Sequence, residues 1–398
     1  MKKAIVNGQI VTPTGIFPGY VEWEGHAVTA VDKGAYTGEA ETVLDAGGKY
    51  VSPGFIDIHL HGAGGHDFMD CTEEAFVRSA EMAMRHGATT IFPTTLASDN
   101  ESLFKAFATY DKVVSKPCPG AHMPGLHLEG PYFSYGQRGA QDPKYLRDPK
   151  PEEYLSILAA SGKIRRMSAA PELDGALGLG RELRSRGILP SIAHSDATFE
   201  QAVEAYENGY THVTHLYSCT SSVVRRNAFR YAGIVEAAYW LDGMTVEIIA
   251  DGVHLPKSLL QLVYKLKGPD RTVLITDSMR AAGMPEGESV LGSLDKGMKV
   301  IVEDGVAKLP DRSAFAGSVA TADRCVRTMY RTAGVPLHDA VTMMSLTPAR
   351  VMGIDGSKGS LEPGKDADIV VFDDDINILH VFLSGEHVMD DNTLNKII

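Results

Sequence analysis

Three things are missing from this chain, and each narrows what it can do. No stretch of about 18 or more uninterrupted apolar residues occurs, which argues against a helical membrane span. Cysteine is scarce: Cys71, Cys118, Cys219 and Cys325 lie far apart and form no CxxC pair. With no secretion signal, four such residues read as reduced thiols in a cytoplasmic protein. Positive charge is also short. Lysine and arginine total 38 against 51 aspartates and glutamates, a formal net charge of −13. That balance argues against nucleic acid or an anionic membrane as partner, and an anionic substrate would need a local cluster of arginines. The opening MKKAIVNGQIVTPTG holds too few apolar residues for a signal peptide and reads as a first β-strand. There is no low-complexity tract and no repeat of fixed period.

What is present is ordinary for a globular protein, at 44% hydrophobic and 22% charged, and 398 residues suffice for a barrel with an accessory unit. Apolar runs at 53–61, 88–95, 123–129, 164–170, 188–194, 211–215, 244–251 and 272–277 alternate with amphipathic stretches such as 72–86, 152–161, 198–208 and 256–266. The first of these stretches opens on Thr72 as N-cap with two glutamates in its first turn and stops at His86-Gly87. The run at 164–170, beside three basic residues, is the weakest strand. About eight β-α units imply a parallel sheet closed into an α/β (β/α)8 barrel, with its active site at the C-terminal strand ends. Residues 1–52 and 357–398 are strand-like and are expected to form one small β-sandwich, leaving 53–356 as the catalytic barrel.

The first barrel run carries the strongest signal. In VSPGFIDIHLHGAGG, His59 and His61 alternate with Ile58 and Leu60, so both imidazoles leave the same face of the strand end. Two converging imidazoles ahead of a glycine-rich loop suit a divalent metal. Polar residues also close four other runs: Glu129 in GLHLEGP, His194 in PSIAHSD, His215 in HVTHLY and Asp277 in LITDSM. Nitrogen and carboxylate donors in this number suit zinc, iron, manganese or cobalt, in one or two ions, rather than a lone structural ion. An ion on Glu129, His194 and His215 would keep an open position and lower the pKa of its water, giving hydroxide as nucleophile. His59 and His61 would hold a second ion with Glu129 as the bridge. Asp277 would take the water proton and pass it to the leaving group. His127, two residues before Glu129, is a candidate outer support, whereas His66, His86, His122 and His212 read as structural.

These motifs resemble the amidohydrolase superfamily and, within it, the N-acetylglucosamine-6-phosphate deacetylase family. The likeness rests on PGFIDIHLHG, GATTIFPT, GLHLEGPY, RGAQDP, IAHSDA, THVTHLY, IADGVHL, TDSM, FAGS and LEPGKDADIVVFD, in that order along nearly the whole chain. It implies a metal-dependent barrel that hydrolyses the N-acetyl group of an amino-sugar 6-phosphate. Zinc would be its metal, Glu129, His194 and His215 the ligands, and Asp277 the catalytic aspartate. It also implies substrate contacts from His254 in the D-G-x-H motif, from Ala140 and Gln141 (many relatives have histidine at the latter), and from Phe315, Ala316 and Gly317. After His215 the family's N-A-M becomes Ser218, Cys219, Thr220, and its Gly-Arg-Glu-Pro-Gly loop becomes SSVVRRNAFRYAG. Arg226 falls on the phosphate-binding arginine, with Arg225 and Arg230 added; Arg226 and Arg230 are expected to grip a phosphate.

The altered loop leaves N-acetylgalactosamine 6-phosphate, or another N-acetylated amino sugar, open as substrate. A cyclic amidase is disfavoured, because HLEGP places a glutamate where such enzymes use a modified lysine. A catalytically silent relative is disfavoured by the retention of all five metal candidates and Asp277. The resemblance further implies a homodimer, in which the loop at 223–233 reaches a neighbour's site.

Overall fold

The computed structural model describes residues 1–390. Eight parallel strands form the central sheet: β1 (Phe55–Leu60), β2 (Ala88–Thr95), β3 (Leu126–Glu129), β4 (Ile164–Ala169), β5 (Leu189–Ile192), β6 (His212–Val213), β7 (Thr245–Ile249) and β8 (Thr272–Ile275). Each pairs with its sequence neighbour from β1 through to β8. Just past the strand ends β8 meets β1 again, through Asp277 N–H to His59 O (2.9 Å) and His61 N–H to Ser278 O (2.7 Å). The sheet is thus a nearly closed barrel, and the weak run at 164–170 is a true member of it.

Its strands are buried on both faces, as parallel sheets require: all eight residues of β2 are inaccessible. Helices separate them. The helix Glu73–Arg85 starts where Thr72 Oγ1 accepts the Ala75 N–H, and it turns Phe76, Ala80 and Met84 onto the core. His86 caps its end and Gly87 follows at φ +86°, reversing the chain into β2. After β8 comes an element absent from the sequence expectation. Gly287–Leu291, Met298–Glu303, Val306–Lys308 and Phe315–Ser318 make a four-stranded antiparallel sheet.

The two ends of the chain share a second eight-stranded sheet. Strand Tyr50–Pro53 pairs with Lys2–Thr12 on one side and with Ile369–Phe372 on the other. Its core includes Ile5, Ile10, Val21, Trp23, Val51, Ile369 and Phe382. Hydrogen bonding joins these eight strands in a single sheet; residues 391–398, assigned to the sandwich from the sequence, lie outside the described residues. Tyr50–Pro53 runs into β1 within two residues, so the strand bearing the two histidines is anchored from behind by this sheet.

Candidate metal and substrate site

His59 and His61 come from the end of β1, and Glu129 is the last residue of β3. His194, His215 and Asp277 each sit two residues beyond β5, β6 and β8. All three take left-handed backbone, at φ +45°, +27° and +48°. Such conformations are costly for residues with a Cβ and collect at functional sites.

The strand ends bring all six side chains together. Glu129 Oε1 lies 3.0 Å from His215 Nε2, 3.3 Å from His194 Nε2 and 3.4 Å from His59 Nε2. Glu129 Oε2 lies 3.4 Å from His61 Nε2. Asp277 Oδ1 is 3.2 Å from His61 Nε2 and 3.4 Å from His59 Nε2. Two overlapping triads result, His59–His61–Glu129 and Glu129–His194–His215, each with its donor atoms within 4.8 Å of one another. His59 Nε2 is buried without a hydrogen-bond partner. A bare imidazole nitrogen facing two carboxylates is the arrangement a cation satisfies, so these residues fit one divalent ion or a pair.

The electrostatics agree. Burial disfavours charged His59, yet Glu247, Glu129 and Asp277 outweigh it and push its pKa up to about 10. Burial likewise raises Glu129, but His59, His194 and His215 overcome this and hold it well below the ordinary carboxylate value. Asp277 is also lowered, the imidazoles of His59 and His61 prevailing over burial. Asp277 is therefore held as a carboxylate anion beside the histidines.

Each histidine is oriented through its other nitrogen. His59 Nδ1 meets Glu247 Oε1 at 2.7 Å, and His61 Nδ1 meets Thr94 O at 3.3 Å. His194 Nδ1 reaches Gln137 O at 2.8 Å and His215 Nδ1 reaches Ser218 O at 3.0 Å. Gln141 Nε2 donates to Glu129 Oε2 at 2.7 Å while its Oε1 accepts the Ala97 N–H. Gln141, expected against the substrate, thus also holds the central carboxylate. His127 bonds Ser168 and stands edge-on to His59 at 4.7 Å, so it supports the histidine rather than Glu129. His86 pairs with Asp323, and His122 approaches Asp368 and Ser384, both remote from the cluster.

Above the cluster opens a cavity of about 310 Å³. Ala140, Gln141, Ser218, Cys219, His254, Phe315 and Gly317 line it, with Leu96, Tyr217, Ile249 and Leu291 added by the structure. His254 Nδ1 is bound to Asp251 Oδ2 at 2.8 Å, and its ring packs at 4.7 Å against that of Phe315, tilted by 55°. Gly317, at φ +66°, has space for no larger residue without crowding Asp277 O. Ala316 does not line the cavity. Alternation along Phe315–Ser318 sends it the other way, into a small core with Met279, Leu291 and Val300.

Arg226 and Arg230 are likewise not at the cavity. They stand on an exposed hairpin, Val224–Arg226 with Phe229–Tyr231, where Arg226 lies 5.9 Å from the Tyr231 ring and Arg230 donates to Ala228 O. A position counted along the chain places them near His215, but the hairpin carries them away from their own pocket. Among the described residues lining that cavity none is lysine or arginine.

Sequence reading missed Arg166 and Glu247, both fully buried inside the barrel. The signal was present in Glu247 alone within the apolar run TVEII, on a strand buried on both faces.

Residues 50–388 match the model of the Amidohydrolase family. An N-acetylglucosamine-6-phosphate deacetylase of Lysinibacillus sphaericus is 36% identical over 338 residues, 85% of this chain and 84% of that one. An N-acetylgalactosamine-6-phosphate deacetylase of Escherichia coli O157:H7 is 33% identical, over 87% of this chain and 89% of its own length. Among solved structures, N-acetyl-D-glucosamine-6-phosphate deacetylase of Mycobacterium smegmatis, in complex with N-acetyl-D-glucosamine-6-phosphate, superposes with a TM-score of 0.89 at 32% identity. That match covers 98% of this chain and 99% of the other.

Proposed function

The chain belongs to the amidohydrolase family, and on that premise we propose that it removes the N-acetyl group from an amino-sugar 6-phosphate, foremost N-acetylglucosamine 6-phosphate. The products are acetate and the free amino-sugar phosphate. The observation that carries this reading is the convergence of His59, His61, His194 and His215 on Glu129, with Asp277 against the first two, at the floor of a cavity sized for one sugar.

Glu129, His194 and His215 would hold one divalent ion, and His59 and His61 with Glu129 a second; zinc heads the candidates for this donor set. Bound there, the metal supplies Lewis acidity, polarising the amide carbonyl and making water more acidic. Asp277 Oδ1 takes the proton from water as its oxygen bonds to the carbonyl carbon. When the C–N bond breaks, Asp277 returns that proton to the departing amine. His254, its Nδ1 held by Asp251, keeps Nε2 for the sugar, and Phe315 offers a ring to the pyranose face.

The phosphate needs a cation that the chain's own cavity lacks among its described lining residues. The exposed hairpin carries Arg225, Arg226 and Arg230 beside Phe229, which is 70% exposed, and Tyr231. In a homodimer this hairpin covers its apolar rings and brings arginine to the partner's cavity. Free cysteines, and the lack among the described residues of any helix long and apolar enough to cross a membrane, fit a cytoplasmic site of action. Ser218 and the rebuilt loop keep the galactosamine epimer open as second reading, and an Escherichia coli relative bears the name N-acetylgalactosamine-6-phosphate deacetylase.

Acetate release from N-acetylglucosamine, N-acetylgalactosamine and their 6-phosphates, with metal-replete enzyme, tests the proposal. Preference for N-acetylglucosamine 6-phosphate is expected. Preference for the epimer makes the loop the specificity switch, and no release from any of the four overturns the reading.

A further inference from the structure

Barrel interiors are usually filled by branched apolar side chains. Here a salt bridge occupies the centre: Arg166 Nη1 meets Glu247 Oε2 at 2.6 Å, and neither residue is exposed at all. Burying such a pair is a poor way to stabilise a fold, since well-packed apolar residues commonly do as well or better. Its geometry suggests another use. Glu247 Oε1 accepts from His59 Nδ1 at 2.7 Å and from the His215 backbone N–H at 3.2 Å. One carboxylate oxygen therefore touches one histidine of each triad. Arg166 in turn is pinned by Ser191 Oγ at 2.9 Å and Thr214 Oγ1 at 2.8 Å, so the carboxylate cannot swing.

We propose that Glu247, held by Arg166, is a positioning residue for the metal cluster. It fixes the ring of His59 through Nδ1, aims Nε2 into the cluster, and ties the seat of His59 to that of His215. His59 Nε2, buried and without a hydrogen-bond partner, is the atom so aimed. The inference rests on the two-triad reading of the site and goes beyond it by naming what sets the first triad.

The test is metal titration of the stripped full-length chain, wild type against Glu247→Gln, read by metal analysis and chelator competition. Circular dichroism monitors the fold. The amide strands a buried guanidinium, so the double variant Arg166→Met/Glu247→Gln is titrated alongside in case the single variant does not fold. The wild type should take two ions. The variants should lose 10–100-fold in affinity at the His59/His61 triad and hold the ion at Glu129, His194 and His215 within a few-fold. Two ions bound by a folded variant with wild-type affinity, or equal weakening of both, overturns the positioning role alone. A wild type that binds one ion overturns the two-triad reading, and the proposal falls with it.

Discussion

The two halves of the cluster use similar donors but differ in what stands behind them. His59 leans on the Glu247 carboxylate, sealed within the barrel. The imidazoles of His194 and His215 lean on the backbone carbonyls of Gln137 and Ser218, in loops whose neighbouring residues Gly139, Ala140, Gln141 and Cys219 line the cavity; Glu247 reaches His215 only at its backbone N–H. The supports of the first half lie in the core and are insulated from what enters the cavity, although His61 and Glu129 themselves line it. The second shares its supports with the substrate wall. A barrel can thus hold one metal seat rigidly while leaving the other responsive to loop changes. Glu129 belongs to both halves, and Asp277 approaches only the first.

The largest effect expected from breaking this asymmetry comes from Asp277. Its Oδ1 touches His61 and His59, so loss of its charge separates proton transfer from metal seating. Asp277→Asn should lower kcat by about 10²–10⁴-fold while both ions remain at wild-type stoichiometry. Steady-state kinetics beside metal analysis checks this. Loss of the ion from the His59/His61 half along with activity would make Asp277 a ligand instead.

A smaller effect is expected where the halves join. Gln141 holds Glu129 Oε2 at 2.7 Å, and Glu129 serves both triads. Gln141→Ala should cost about 10–100-fold in metal affinity or turnover, and both ions should weaken together. Weakening of one alone, in the same chelator competition, would show that the carboxylate is not shared.

The same asymmetry governs what could be seen in the sequence. Glu129, His194, His215 and Asp277 are legible because each is a polar residue at or just past the end of an apolar run, where a barrel strand must stop. Glu247 and Arg166 are hidden because they sit within strands. Arg165 and Arg166 are neighbours of like charge, yet strand alternation exposes the first and buries the second completely. Only the closed barrel shows that the buried face has a carboxylate waiting for it. The hairpin arginines differ for the opposite reason: their place in the chain is close to His215, but the hairpin stands exposed and away from the chain's own cavity, a direction that no local pattern carries. The inserted sheet at 287–318 went unseen because its short strands, such as Val306–Lys308, carry little pattern of their own.

The smallest predicted effect probes the responsive half from the substrate side. Gly139 sits at φ +54°, two residues from the carbonyl that orients His194, and a Cβ there would meet Cys219 Sγ at 2.7 Å. Gly139→Ala therefore adds a steric push to a left-handed backbone cost of about 1–2 kcal/mol. The loop must shift, and His194 with it, so kcat/KM should fall by about 5–30-fold. The ion at His194 and His215 should weaken while the His59/His61 half keeps its affinity. Adding Cys219→Ala, with that single variant as reference, removes the clash but not the backbone cost, so the double variant should recover part of the loss. Equal weakening of both ions would mean that the loop and the barrel interior are mechanically one support, and the insulation of the first half would be lost as an explanation.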